Sequence, residues 1–521
     1  MASQAGAVRG RAARYRAVLD QRLREAARIL LPGEVFADDL AVVSLIDALA
    51  EAVRVNVGDG RLWLLFTALA GAYPTPGQFE AARRRLELAA SGTATSVLLD
   101  ATLAAASGSG EWDRPLRVVE DTTVIDVNFC AKFVHNTGIQ RVVREVMPHL
   151  VALGTGADGA TSTPVELVAW TRRSGVTRGL SAVERQRVID WRAMAAGTSE
   201  LPAPQPDELV VPWRSRLFLP EVPEPALCER LAALAQFSGN RVSIIGYDTI
   251  PIASADLVIP SESERFARYL SVVKHVDEVV AISHSVAAEF TGFAHALDAQ
   301  GLKRPDIRCV PLAADVPASD VPASEVPATE AGEPREHTPV PLVLSVGSHE
   351  PRKNQDAVLF AAETLLGEGI EFRVVFVGGG NRRRTLSFDR HLRRLRAERG
   401  WQIESVRGMK DAELWQHFRD ARFSVFMSLH EGYGLPVVES LALGTPVLTA
   451  NYGSLAEIAA AGGCVTADPR NDQQIVETMR ALLTDDALVT RLETEAASIP
   501  QRTWSDYAAE LWREARLGES A

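Results

Sequence analysis

Cysteine is scarce in this chain: four residues in 521, Cys130, Cys228, Cys309 and Cys464, far apart and with no C-x-x-C pair. That spacing excludes a disulfide framework and a thiolate metal site, and suits small core residues in a reducing compartment. None of the ten histidines falls in an H-x-H or H-E-x-x-H arrangement, and no Asp-x-Asp occurs. No metal site is therefore expected. Basic residues do not outnumber acidic ones: the formal charge is −12, which argues against nucleic acid as a partner. Any anionic ligand must be met by locally clustered Arg and Lys. Long apolar runs are missing too. The most apolar, LWLLFTALAGAY at Leu62–Tyr73, falls short of the ~20 residues that span a bilayer. It reads as a buried helix, with contact at a membrane surface as the alternative. The basic N-terminal stretch has no long apolar segment behind it, so no secretion signal is expected. A cytoplasmic location follows, at the inner face of the membrane if there is peripheral contact.

What the chain does have is concentrated in SLHEGYGLPVVESLALGTPVLTA, Ser428–Ala450. Gly432 and Gly434 suit a loop that brings backbone close to a ligand. Pro436 suits the first turn of a helix, and Gly444 its C-terminal cap, which predicts a helix over 436–443. PVLTA then reads as a buried strand. Glu431 falls in the loop and Glu439 about one turn inside the helix. A helix N-terminus favours phosphate, and a carboxylate accepts two hydrogen bonds at once, which fits neighbouring hydroxyls on a sugar. Taken alone, two glutamates eight positions apart are better explained by a solvated helix face, since chance produces the pair often.

Taken in order, residues 1–112 read as a helical extension for packing, oligomerisation or acceptor docking. Residues 113–312 alternate strands and helices, which implies a parallel sheet covered on both faces. Residues 313–338 contain DVPAS DVPAS EVPAT, an acidic, proline-rich repeat expected to be a solvated linker. Alternation resumes over 339–500, and 501–521 form a final helix capped by Thr or Ser. Ligands of open parallel sheets bind at the carboxyl ends of the strands. Three segments should meet there in the C-terminal domain: VGSHEPRKN with Arg352 and Lys353, FVGGGNRRR with Gly378, and the motif at 428–450. The two cations suit a leaving group that develops negative charge.

HEGYGLPVVE, with its following small residues and G-T-P-V, resembles the nucleotide-sugar signature of the retaining glycosyltransferases of family four. The resemblance covers roughly residues 118–515, including V-G-x-x-E-P-R-K-N, the V-x-G at 406–408 and the final W-x-x-Y helix. It implies a GT-B fold: two Rossmann-like parallel-sheet domains facing a cleft, an acceptor domain first and a nucleotide-sugar domain second. It also implies that Arg352 and Lys353 hold the diphosphate, that Glu431 contacts the donor sugar and that Glu439 holds the ribose. Gly432, Tyr433, Gly434, Leu435, Gly378 and Gly408 are implied to line the donor site, Gly408 beside the base. Many members carry Arg where this chain has Ser348.

HNTGIQRVVREV and YDTIPI look like the glycine loop and H-D-x-I-P segment of bacterial mannosyl- and rhamnosyltransferases. They add Gly138, Arg141, Tyr247 (for the usual His) and Asp248 as acceptor-side or phosphate-side candidates, Asp248 equally suiting a structural turn. The resemblance thus implies metal-independent hexosyl transfer without a cofactor, from GDP-mannose or dTDP-rhamnose to a glycan or lipid-linked glycan in surface polysaccharide synthesis. A catalytically silent nucleotide-sugar-binding subunit is the rival. A nicotinamide oxidoreductase is disfavoured, because no dinucleotide fingerprint opens either domain.

Overall fold

A computed structural model of the chain describes residues 2–155, 163–194, 205–313, 340–380 and 386–519. The proline-rich repeats read as a linker lie outside the described residues.

Two sheets organise the molecule. The first contains β1 (Leu116–Glu120), β2 (Thr123–Asp126), β3 (Val165–Trp170), β4 (Thr177–Gly179) and β5 (Leu209–Trp213). It continues with β6 (Arg216–Leu219), β7 (Arg241–Gly246), β8 (Glu278–Ala281) and β9 (Asp306–Cys309). Their spatial order is β1-β5-β4-β3-β2-β6-β7-β8-β9. All pairs are parallel except those of β4, which runs antiparallel to both its neighbours. β4 departs from the expected parallel pattern because it folds straight back from β3 through a tight turn, in which Thr171 N–H donates to Val176 O and Ser174 takes φ 53°.

The second sheet contains β10 (Leu342–Val346), β11 (Arg373–Val377), β12 (Ile403–Val406), β13 (Phe423–Phe426), β14 (Val447–Ala450) and β15 (Cys464–Ala467). It is parallel, in the order β12-β11-β10-β13-β14-β15. Chain order reverses between β10 and β13. In a doubly wound sheet a crevice opens at the carboxyl ends of that pair.

The helices before residue 112 do not stand apart as a module. Asp59–Ala70 is buried around its whole circumference, with Leu62 to Phe66 fully inaccessible. A helix apolar on all sides belongs inside a protein; this run is closed to a membrane surface. Tyr73, three residues past its end, sends its hydroxyl to Thr177 Oγ1 of β4 at 2.5 Å. Arg22 threads between the extension and the sheet, donating to the carbonyls of Arg114 at 2.8 Å and of Glu111. The extension and the first sheet share one continuous core. Among the described residues no helix is long and apolar enough to cross a membrane.

The last helix, Trp504–Glu514, opens with a capping box between Thr503 and Asp506. It leaves the second domain and packs on the first. Tyr507, Ala508, Leu511, Ala515 and Leu517 are buried in the N-terminal core, and Ser243 of β7 donates to Ala515 O at 3.1 Å.

Candidate active site

The loop after β10 carries a short 3-10 turn, Pro351–Lys353, which ends at Asn354 in a left-handed conformation, φ 52°. The loop after β13 lies against it, with Leu429 N–H donating to Arg352 O at 2.8 Å. This apposition brings together residues 78 positions apart. Lys353 Nζ stands 2.5 Å from Glu431 Oε1, and Arg352 Nη1 stands 2.9 Å from Glu431 Oε2. Each carboxylate oxygen therefore has its own cation. Burial alone would raise the pKa of Glu431, but Lys353 and Arg352 outweigh it and hold the carboxyl below its usual range. Burial lowers Lys353, with Glu431 working against it. The Lys353 ammonium also lies over the Phe426 ring, 5.0 Å from its centroid.

The helix that follows runs Leu435–Ala442, with Pro436 in its first turn. The backbone N–H groups of Gly432, Tyr433, Gly434 and Leu435 donate to no group among the described residues. Four unpaired amides at a helix N-terminus form a positive end suited to an anion. Glu439, on the second turn, is buried. Its partner comes from the other domain: Arg141 Nη1 bonds Glu439 Oε1, and the same guanidinium lies 5.6 Å from the Trp415 ring centroid.

The two domains meet at the motif loop. A Cβ on Gly432 would stand 2.1 Å from Tyr247 O and 3.2 Å from Asp248 Cβ. Glycine is required there by the N-terminal domain's backbone. Ser283 Oγ donates to Gly432 O at 2.8 Å, and Tyr433 Oη donates to Leu312 O at 2.7 Å. Glu457 accepts from His284 N–H at 2.9 Å and from Ser285 N–H at 2.6 Å, at the start of the helix His284–Leu297. His430 bridges the domains through both ring nitrogens, Nε2 2.7 Å from Glu289 Oε1 and Nδ1 2.8 Å from Ser254 Oγ.

The sequence reading missed His430, Glu289, Ser283 and Glu457. The signal for three of them was position alone: His430 adjoins Glu431, and S-H-S-V-A-A-E places Ser283 at the cap of the helix that carries Glu289 six residues on.

The His430–Glu289 pair couples stability to pH. The Glu289 hydrogen bond raises His430 above its ordinary value. Burial pushes Glu289 up, but the bonds from His430 and Thr249 outweigh it and hold its carboxyl low. The imidazolium's contribution is fully present below the ordinary imidazole pKa and is lost as pH rises through the raised one. The carboxylate's contribution is lost only as pH falls through the depressed value. From about pH 6 to about pH 8 the parent should lose more melting temperature than His430→Gln. Parallel curves for the two proteins in thermal scans would show that the pair carries no charge linkage.

Several candidates stand elsewhere than expected. The Tyr247 side chain belongs to the N-terminal core: it is buried, and its hydroxyl donates to Pro220 O at 2.7 Å, while its carbonyl abuts Gly432 across the domains. At Gly378 a Cβ would stand 1.9 Å from Gly347 O. It is glycine because two loops touch. Gly432 and Tyr433 make contacts across the domains through Tyr247, Asp248, Ser283 and Leu312. Asp248 adjoins Gly432, and its Oδ1 accepts from Ile250 N–H at 3.0 Å, a turn contact. Burial lifts its pKa, with Arg352 pulling the other way. Gly138 and Gly408 both face open space.

Two sheets, a cleft edge built from strand-end loops and a last helix returning to the first domain define the GT-B architecture. Sucrose-phosphate synthase from Thermosynechococcus elongatus shares this fold, with TM-score 0.50 and 14% identity over 76% of this chain and 98% of its own. So does the α,α-trehalose 6-phosphate synthase of Burkholderia multivorans, with TM-score 0.50 and 12% identity over 76% and 97%.

Residues 329–498 match the model of the glycosyl transferases group 1 family. The chain is 26% identical over 348 residues to the serotype-specific mannosyltransferase WbdA of Escherichia coli, covering 64% of this chain and 39% of the relative. It is 32% identical over 144 residues to the O-antigen chain mannosyltransferase B of Escherichia coli, covering 28% and 37%. A 35% match over 126 residues links it to D-inositol 3-phosphate glycosyltransferase 2 of Catenulispora acidiphila, covering 23% and 30%. The chain spans only about two fifths of the length of the curated relatives it matches first.

Proposed function

We propose that this chain is a retaining hexosyltransferase that moves mannose from GDP-mannose onto a glycan acceptor in bacterial surface polysaccharide synthesis. The observation that carries the reading is the convergence of Arg352 and Lys353 on Glu431, beside four unpaired amides and eight residues before Glu439. A nucleotide sugar complements this set. Its diphosphate takes the two cations and the helix end, its hexose hydroxyls replace them at Glu431, and its ribose hydroxyls take Glu439. The choice of mannose draws on the names of the two Escherichia coli relatives. GDP-mannose is a cytoplasmic metabolite, which puts the enzyme there, against the membrane when the acceptor is lipid-linked.

In the reaction the bond from the sugar's anomeric carbon to the diphosphate oxygen breaks. A bond to the acceptor hydroxyl oxygen forms on the same face, and the acceptor proton passes to the departing phosphate. Arg352, Lys353 and the helix beginning at Leu435 stabilise the charge that grows on that phosphate, with no metal required. An inverting route needs a general base on the opposite face, and a double displacement needs a carboxylate beneath the anomeric carbon. Glu431, committed to the far hydroxyls, is neither. An α-linked donor should therefore give an α-linked product, in the presence of EDTA as in its absence. Proton NMR of the first-formed glycoside decides the point, and a β-anomer would overturn the mechanism.

A further inference from the structure

We propose that Arg141, supplied by the N-terminal domain, is the positioning residue for Glu439: it pins one carboxylate oxygen across the cleft and leaves the other to the ribose of the donor nucleotide. The proposal rests on the reading of Glu439 as the ribose acceptor.

Glu439 is buried on the second turn of its helix, and only Oε1 has a partner, Arg141 Nη1. Oε2 accepts from no group among the described residues. Oε2 is not sealed from solvent, so it is an unpaired acceptor that a ligand hydroxyl can reach. A carboxylate held at one oxygen by a guanidinium has little rotational freedom left, so the second oxygen points in a defined direction.

Arg141 is itself held at two points. Its backbone belongs to the first turn of the helix Gly138–Gly154, and its guanidinium is fixed between Glu439 and the face of Trp415 on the helix Asp411–Asp420. Both anchors of the guanidinium lie in the domain opposite its own. Burial lifts the Glu439 carboxyl above its usual range, and Arg141 is the cation that works against this. Asp411, nearby, adds repulsion to Glu439.

The ribose subsite is thus assembled from both domains. A nucleotide meets an oriented carboxylate only when Arg141 has crossed the cleft, and ribose recognition and domain closure become one event. This differs from contact between Arg141 and the phosphates or the acceptor, the role that its place after the Gly138 loop suggests.

The test is a cycle between residue and ligand. Isothermal calorimetry on the full chain compares GDP with 2′,3′-dideoxy-GDP, or UDP with its dideoxy form should UDP raise the melting temperature more. The parent should prefer the ribose form by about 10-fold, the order of one charge-assisted contact. Glu439→Gln should lose most of that preference. Arg141→Ala should lose it too, Arg141→Lys should recover part of it, and the double variant should be no worse than either single one. If Arg141→Ala weakens both nucleotides equally and keeps the parent's preference, Arg141 holds the domains or the phosphates and the proposal is overturned. If the parent shows no preference and Glu439→Gln changes nothing, the ribose assignment of Glu439 fails and takes the proposal with it.

Discussion

Lys353→Ala should lower kcat/KM by on the order of 10²-fold or more, with most of the loss in kcat. The reason is where the ammonium stands. It is held 2.5 Å from Glu431, beside Arg352 and over the Phe426 ring, and largely removed from water. Few waters are at hand to replace it when charge grows on the departing diphosphate. The donor's ground state already carries charge on both phosphates, so part of the interaction exists before reaction and will appear in KM. The growth of charge on the leaving oxygen exists only in the transition state and will appear in kcat. Steady-state kinetics over a range of donor concentrations separates the two. Turnover near that of the parent would return Lys353 to a structural ion pair that joins the loops after β10 and β13.

Glu431→Gln should split two properties that a loss of fold would move together. Removing the carboxylate's charge leaves two largely buried cations facing each other without their anion, which favours any anionic ligand in its place. Free nucleoside diphosphate should therefore bind about 10-fold more tightly. Turnover should fall by on the order of 10²-fold, because the hexose loses one of two acceptor oxygens and the charge that orients it, and the product leaves slowly. Calorimetry with the nucleoside diphosphate and initial rates with the donor give the two numbers. A fall in both would mean that Glu431 serves mainly to hold its own loop in place.

The local grammar of the motif was readable to within a residue. Pro436 and Gly444 set a helix expected over 436–443 and found at Leu435–Ala442. The alternation of apolar runs with helical periods marked both sheets, because parallel strands covered on both faces are continuous apolar segments. What escaped was whatever depends on a neighbour distant in the chain. β4, three residues containing an arginine and a glycine, has no period to detect. Gly378 and Gly432 were read as glycines for a ligand, yet another stretch of backbone fills the space beside each. A missing side chain signals close approach without naming what approaches. Arg352 and Lys353 were rightly noted as a charged pair behind a buried strand. That they pair with Glu431 follows only from the touching of two loops. His430 was overlooked because its two partners, Ser254 and Glu289, belong to a domain more than a hundred residues upstream.

The return of the last helix to the first domain bears on how this protein is made. Residues 504–517 complete a core whose other walls, β2, β7 and the helix Gly138–Gly154, are encoded before the entire second domain. During synthesis from the N-terminus, the first sheet therefore waits with an open apolar face while some two hundred further residues emerge. The second domain contains all the strands of its own sheet and can fold in that interval. At the ribosome the later domain is free to finish first, and the earlier one is sealed only when Tyr507 and Leu511 arrive.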